Sequence, residues 1–437
     1  MNGKKVLVCG MARSGQAAAL LLKQLGAEVT VQDTKAELDW DFAGHGLKAY
    51  LGKNPDDIVA DFDLIVISPG ISIYESFVQK AGKLDIPCWG EAELAYRLCP
   101  FPMVAITGTN GKTTVTTLVG EILKRHNPHT VVAGNIGVPL TSLVTGLSPQ
   151  AIVVAEISSF QLETIEAFRP GISAVLNMSP DHLDRHKTME NYIAMKSRIF
   201  QNQRPRDVTV LNYDNPITRA MCPPGRVVYF SAAQILDEGV YVKDGVICAK
   251  LDSGGEIDVV PLAGLKVMTE NALAAVALSL LAGAPTQLIA QGLRAFSGVA
   301  HRLQHVATIG EVDYYNDSKA TNTDAAIKAL EAFDTPVVLI GGGYDKDTDF
   351  TPWVQLFEKK VSDLIVIGQT ARQIMETCDK LGFAKYSHAE SLQQAVAIAK
   401  EKARPGQSVV FSPACASFDM FKNFEERGDL FVQYVNE

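Results

Sequence analysis

The sequence predicts an α/β fold of three domains with mainly parallel sheets, and three observations carry that reading. Short β-branched runs alternate with helical ones almost from end to end, as repeated βαβ units require. The 437 residues correspond to about three domains at ~150 residues each. The alternation also restarts twice, near Cys99-Pro100-Phe101-Pro102 and near Gly298. The expected domains are therefore 1–94, 95–297 and 298–437.

The elements follow in order. KKVLVCG, AEVTVQD and DLIVISPG are the first strands, and SGQAAALLLKQLG between the first two is a helix closed by glycine. MVAITG and the helix TTVTTLVGEILKRH open the middle domain, and strands AIVVAEIS, GISAVLNM and DVTVLN continue it. Residues 226–262 differ: turns at Asp244-Gly245 and Gly254-Gly255 suggest a small antiparallel patch. A long helix, Asn271 to Leu281, closes the domain. EVDYYND, PVVLIGGG, DLIVIG and QSVVFSPA are the strands of the third. There is no solenoid repeat and no low-complexity tract.

Lys+Arg 40 against Asp+Glu 49 gives a net charge of −9, which argues against a general nucleic-acid or membrane-surface binder. The seven cysteines are scattered without a C-x-x-C pair, so neither a disulfide scaffold nor a zinc ribbon is expected. Arg13 and the glycines around it interrupt the apolar run after Lys4-Lys5, unlike a signal peptide. The apolar helical run Ala272 to Ala284 is far short of the roughly 20 residues that span a bilayer. A soluble, cytoplasmic monomer is expected.

The densest chemistry lies in MVAIT-GTNGKTT-VTTLVGEILKRH. A phosphate-cradling loop needs glycines so that backbone N–H groups can close on oxygens, a lysine for the β/γ charge, and a hydroxyl beside it for Mg²⁺. Gly108, Gly111, Lys112 and Thr113 supply these, with Thr109, Asn110 and Thr114 completing the loop at a helix N-terminus. Ile106 stands where the full G-x-x-x-x-G-K-[ST] pattern has its first glycine. ATP is the expected ligand; the bland alternative is a helix that merely opens on a glycine turn.

Other residues stand out with alternatives still open. Glu156 ends the run AIVVA, where α/β sites form, and with Thr113 offers the hard oxygens Mg²⁺ prefers; it could equally be a solvated strand-end charge. His182 between two aspartates could be a loop hydrogen-bonding cluster. Asn135 and Ser158 could serve turn chemistry. Lys196 alone reads as a surface helix lysine, and Lys319 and Lys346 as lysines on turns. Gly10-Met11-Ala12-Arg13-Ser14-Gly15 follows a strand and Asp33 ends the next, but Ala12 breaks the dinucleotide fingerprint and argues against NAD.

Taken in order, these motifs resemble the Mur ligase and folylpolyglutamate synthase superfamily, ATP-dependent amide-bond ligases that activate a carboxylate as an acyl phosphate. The set comprises T-G-T-N-G-K-T-T, Gly134-Asn135-Ile136-Gly137, Glu156 to Leu162, Asp181-His182-Leu183-Asp184, Lys196, His301-Arg302-Leu303 and Asn316 to Asn322. It spans essentially the whole chain. Gly341 to Lys346 and Ser412 to Phe424 resemble the D-glutamate-adding branch, and the D-N-P-R tetrapeptide of the diaminopimelate-adding branch is absent.

The resemblance implies an N-terminal Rossmann-like UDP-binding domain, a central P-loop ATPase-like domain and a C-terminal Rossmann-like domain that binds the amino acid. It implies UDP-N-acetylmuramoyl-L-alanine and D-glutamate as substrates, ATP, and two Mg²⁺ ions. Lys112, His182 and Lys196 would be catalytic, and Thr113, Glu156, His182 and a carbamylated Lys196 would hold metal. Arg13 and Ser14 would lie near the diphosphate and Asp33 and Thr34 near the uracil, with Ser68 and Gly70 lining the pocket. Asn135 and Ser158 would touch the substrate beside the metal. Arg302 and Asp317 would serve the nucleotide; Lys319, Thr321, Lys346, Ser417, Phe418 and Phe424 would serve glutamate. Before the central helix the family shows G-x-H-N-x-x-N, but this chain has Val267 and Met268 for the His-Asn pair, leaving Asn271 to face adenine. The competing readings are a sibling ligase adding another amino acid, an NAD-dependent oxidoreductase, which leaves Gly108 to Thr113 unexplained, and a non-catalytic nucleotide-binding module.

Overall fold

The computed structural model describes residues 1–251, 254–344 and 348–437. Strands β1 (Lys5–Cys9), β2 (Glu28–Asp33), β3 (Lys48–Leu51), β4 (Leu64–Ile67) and β5 (Cys88–Gly90) form a parallel sheet in the order β3-β2-β1-β4-β5. Val6, Leu7, Val8 and Cys9 are all buried, because a parallel strand covered on both faces must be apolar throughout. The strand order reverses between β1 and β4. That switch point puts Gly10 and Ser68, which follow those strands, at the mouth of a crevice.

The second sheet has nine strands: β6 (Met103–Thr107), β7 (Val131–Gly134), β8 (Val153–Glu156), β9 (Ile172–Val175), β10 (Val208–Asn212), β11 (Arg226–Ser231), β12 (Gly239–Lys243), β13 (Val246–Lys250) and β14 (Ile257–Pro261). Their order is β14-β13-β12-β11-β10-β9-β6-β8-β7. Only β12-β13 and β13-β14 pair antiparallel. Residues 226–262 are therefore not a separate antiparallel patch. Strand β11 pairs parallel with β10, and the hairpins extend the main sheet at its edge.

Helix Glu91–Leu98 serves both of these sheets. Its Leu94 packs in the core of the first, while Ala92 and Ala95 pack in that of the second. Buried Glu93 accepts the backbone N–H groups of Glu166, Ala167 and Phe168 at 2.8–2.9 Å, and Glu91 accepts both the N–H and the hydroxyl of Thr141.

The chain divides into two compact units, Met1–Phe296 and Ser297–Glu437. The second unit holds β15 (Gln304–Ile309), β16 (Val312–Asn316), β17 (Val337–Gly341), β18 (Val361–Val366), β19 (Tyr386–His388) and β20 (Ser408–Phe411), in the order β15-β16-β20-β17-β18-β19. The β15-β16 hairpin, unanticipated from sequence, turns on Gly310 and Glu311, both at positive φ (58° and 62°). Two such residues make the turn whose twist matches that of its flanking strands. Among the described residues no helix is long and apolar enough to cross a membrane.

Candidate active site

The phosphate loop leaves β6 at Thr107 and enters helix Lys112–His126. Gly111 sits at φ 81°, and a Cβ there would stand 2.4 Å from Asn271 Oδ1. Only glycine allows that approach, and it brings the expected adenine-facing asparagine against the loop. The Asn177 side chain takes both backbone groups of Asn110, accepting its N–H at 2.8 Å and donating to its carbonyl at 3.2 Å. The Thr109 N–H bonds to the Asn177 carbonyl, and its hydroxyl lies 3.2 Å from Tyr192 Oη. Lys112 Nζ is held over the loop by the carbonyls of Gly108 (3.0 Å) and Thr109 (2.9 Å). Thr113 is buried and Thr114 half-buried in the first helical turn, where unpaired N–H groups and the helix dipole favour an anion.

Beside the loop, Glu156 ends β8 and pairs with Ile106 of β6. It is 1% exposed. Asn135 Nδ2 donates to Glu156 Oε1 at 2.6 Å, whereas Oε2 is buried and has no hydrogen-bond partner among the described residues. A buried carboxylate oxygen without a donor is costly, and a hard cation removes that cost. The residues present thus fit Mg²⁺. The Ser158 hydroxyl is already engaged in a capping box with Gln161, so turn chemistry accounts for it.

Lys196 lies on helix Met189–Ser197, capped by Thr188, and is 1% exposed. Its Nζ is 3.4 Å from Thr107 Oγ1 and 4.9 Å above the Tyr192 ring. Burial first, and then the charge of Lys112, holds this amine well below the ordinary lysine range, opposed by Asp181 and Glu156. A surface helix lysine it is not. His182, at φ 52°, packs 4.9 Å from the Phe160 ring with its side chain half exposed.

The first sheet carries the expected sugar-nucleotide residues at its switch point. A Cβ on Gly15 would stand 1.9 Å from the Gly10 carbonyl, so the helix packs directly on the loop. Ser68 Oγ donates to that same carbonyl at 2.6 Å. Both Asp33 oxygens accept backbone N–H groups, from Met11 at 2.8 Å and Lys35 at 3.0 Å, so this carboxylate shapes the loop. Arg13 Nη2 donates to the Gly137 carbonyl at 2.7 Å, next to the Asn135 turn. Ser14 is half-buried in the first helical turn, Thr34 is exposed after β2, and the Gly70 carbonyl accepts from Arg185.

The second unit gathers its own set. Asp317 accepts from the Leu303 N–H (3.1 Å) and the Ser412 hydroxyl (2.8 Å), and burial pushes its carboxyl up to about 6. Arg302 is exposed, and its charge opposes that upward shift. The Lys319 ammonium lies 5.4 Å from the Phe424 ring centre, and the Thr321 N–H bonds to the Lys319 carbonyl. Ser417 is buried; Phe418 is exposed and packs edge-on to Tyr344. Lys346 lies outside the described residues.

Sequence reasoning missed Arg427, which organises these loops. Fully buried, it donates to Ser318 Oγ (3.0 Å), the Ser318 carbonyl (2.7 Å) and the Ala416 carbonyl (3.0 Å). Its place on the stripe Arg427, Phe431, Val435 was the available signal. Asn177 and Tyr192 were missed too; the Tyr192–Lys196 spacing of four puts both on one helix face.

Three family profiles cover most of the chain: a Mur ligase MurD-like N-terminal domain over residues 4–90, a Mur ligase middle domain over 106–279, and a Mur ligase glutamate ligase domain over 301–415. The UDP-N-acetylmuramoylalanine–D-glutamate ligase of Caldanaerobacter subterraneus subsp. tengcongensis is 46% identical over 100% of this chain and 98% of its own. The enzyme of the same name from Pelotomaculum thermopropionicum is 47% identical over 99% and 97%. Among solved structures, UDP-N-acetylmuramate-alanine ligase from Thermotoga maritima aligns over 99% of both chains with a TM-score of 0.59 at 18% identity, a likeness of fold. A pseudomurein peptide ligase type C from Methanothermus fervidus aligns over 94% of this chain and 96% of its own, with a TM-score of 0.54 at 18% identity.

Proposed function

The chain belongs to the Mur ligase family, and we propose that it joins D-glutamate to UDP-N-acetylmuramoyl-L-alanine at the expense of ATP, a step of peptidoglycan synthesis. The observation that carries this is the meeting of the phosphate loop, the unpaired Glu156 oxygen and buried Lys196 at the C-terminal ends of adjacent strands β6 and β8.

A carboxylate is a poor electrophile. The acceptor carboxylate therefore takes the γ-phosphoryl group of ATP, giving an acyl phosphate and ADP. The amine of D-glutamate attacks the acyl carbon, phosphate leaves, and the amine gives up a proton. Both steps gather negative charge, which the loop N–H groups and Lys112 are arranged to meet. Mg²⁺ supplies further charge neutralisation at the phosphate oxygens when bound. Thr113 and Glu156 would hold one ion, and His182 with Lys196 a second. For that second role Lys196 must become anionic. Burial favours the neutral form of its amine, and in that form it can add CO₂ and release a proton, giving a carbamate with two oxygens. Arg13 and Ser14 would bind diphosphate, Lys319 and Lys346 the glutamate carboxylates, and Arg302 and Asp317 the nucleotide.

The test is phosphate release with UDP-N-acetylmuramoyl-L-alanine against a panel of amino acids of both chiralities. D-glutamate should be the best substrate by a wide margin. A better turnover with any other amino acid would replace this reading with that of a sibling ligase.

A further inference from the structure

Arg185 stands three residues beyond His182, on the short helix Leu183–His186, and nothing above assigns it a role. Its side chain is 13% exposed and forks onto Glu163, itself 3% exposed, through Nε (3.0 Å) and Nη2 (2.5 Å). The guanidinium then reaches the other sheet of the first unit. Nη1 donates to the Gly70 carbonyl at 3.2 Å and Nη2 to the Ile71 carbonyl at 2.8 Å. Its plane lies 4.4 Å from the Phe160 ring, which also packs against His182 and His186. Below it, His186 Nε2 meets Ser159 Oγ at 3.0 Å, one residue past the Ser158 cap.

One planar cation therefore touches two things at once. On one side is Glu163, which closes the helix Ser159–Leu162 and so ties it to the short helix that carries Arg185 and follows His182; on the other is the Ser68–Ile71 turn at the switch point of the first sheet. A guanidinium can hold a carboxylate and two carbonyls in fixed relation because its donors are coplanar and splayed, which an ammonium cannot imitate. We propose that Arg185 is a positioning residue of the ligation reaction. It sets the distance between the cradle for the sugar-nucleotide end of the acceptor and the phosphoryl-transfer site that its carboxylate must reach. This rests on the proposed acceptor being UDP-N-acetylmuramoyl-L-alanine. An acceptor pinned at one end presents the other correctly only if the span between the two sites is fixed, and a misplacement of about 1 Å can cost ~10²-fold in rate.

The experiment separates the two ends of the acceptor. UDP alone needs only the cradle; the full acceptor needs both sites. For Arg185→Lys we expect UDP binding by calorimetry within twofold of wild type, the KM for ATP likewise unchanged, and kcat with the full acceptor lowered about 10²-fold. Glu163→Gln, which leaves Arg185 in place but slackens its fork, should shift kcat in the same direction by a smaller factor. It decides the matter if the lysine variant does not fold. Unchanged kcat in a folded variant overturns the proposal, as does a loss of UDP binding equal to the loss of rate, which would make Arg185 part of the cradle itself. Wild-type protein that forms no amide with D-glutamate would instead refute the underlying reading.

Discussion

Lys196 and Arg427 are both buried basic side chains, and the protein treats them in opposite ways. Each nitrogen of Arg427 has an acceptor in its own unit, and burial brings it down only to about 10. Among the described residues Lys196 makes one long hydrogen bond, to Thr107 at 3.4 Å, beside the face of the Tyr192 ring, and its amine is held well below its usual range. The carboxylates repeat the contrast. Asp317 has donors on both oxygens, whereas Glu156 leaves one buried oxygen without any among the described residues. A buried charge that the chain itself satisfies is scaffold; one left short is a place made for something else. By that measure the unmet demand lies in the first unit, at Glu156 and Lys196, while buried Asp317 and Arg427 are met within the second.

The comparison can be broken from either side. The largest effect should come from Arg427→Met, which strands the carbonyls of Ser318 and Ala416 in the interior. A stability loss of about 3–5 kcal/mol is expected, read by urea denaturation. A loss under about 1 kcal/mol would show that this buried guanidinium is not scaffold.

Lys112→Ala, by contrast, should leave stability almost untouched while ligation falls about 10³-fold, because it removes charge from the moving phosphoryl group and not packing. Retention of more than about a tenth of wild-type turnover would argue against that role.

Lys196→Ala should lower kcat about 10²-fold or more, and added acetate or propionate should restore a measurable part, since each supplies the missing oxygens. Lys196→Glu should rescue poorly, its chain being too short. Full activity in the alanine variant would remove the carbamate from the mechanism.

The smallest effect concerns Asp317, whose carboxyl titrates near 6 in the folded chain against 3.8 for the ordinary group. A raised acid pKa means that the folded state binds the proton more tightly. Stability should therefore fall as pH rises from about 4 to 6, and stay flat above. Asp317→Asn keeps an acceptor for the Leu303 N–H and removes the buried charge. It should raise stability by about 1–3 kcal/mol at pH 7.5 but not at pH 4, while weakening ATP use. Equal gains at both pH values would mean that the charge is not what the fold bears.

The parts of this picture that were legible in the sequence are those written contiguously. Strand, glycine loop and helix around Gly108–Thr113 appear in order, and buried parallel strands announce themselves as apolar runs. Strands β3 (KAYL) and β19 (YSH) lie at sheet edges, half exposed, and carry no pattern to read. The 226–262 segment shows its turns but not its parallel union with β10, since partners distant in sequence leave no local mark. Lys196 is the sharper case. Its helix buries only Tyr192 and Lys196 among polar neighbours, so local pattern favoured a surface lysine and only the ordered set of motifs pointed inward. The Arg427 contacts to Ser318 join residues 109 positions apart, beyond any spacing argument.

Helix Glu91–Leu98 has a consequence for how the molecule comes apart. Because Leu94 belongs to one hydrophobic core and Ala92 and Ala95 to the other, and Glu93 ties three backbone amides of the 166–168 loop that leads into β9, neither sheet can melt without stripping the other of part of its interior. Cooperativity follows shared burial rather than sheet count. Three sheets should therefore give two heat-absorption peaks, not three, and partial digestion should release residues 1–296 as one resistant fragment rather than as two.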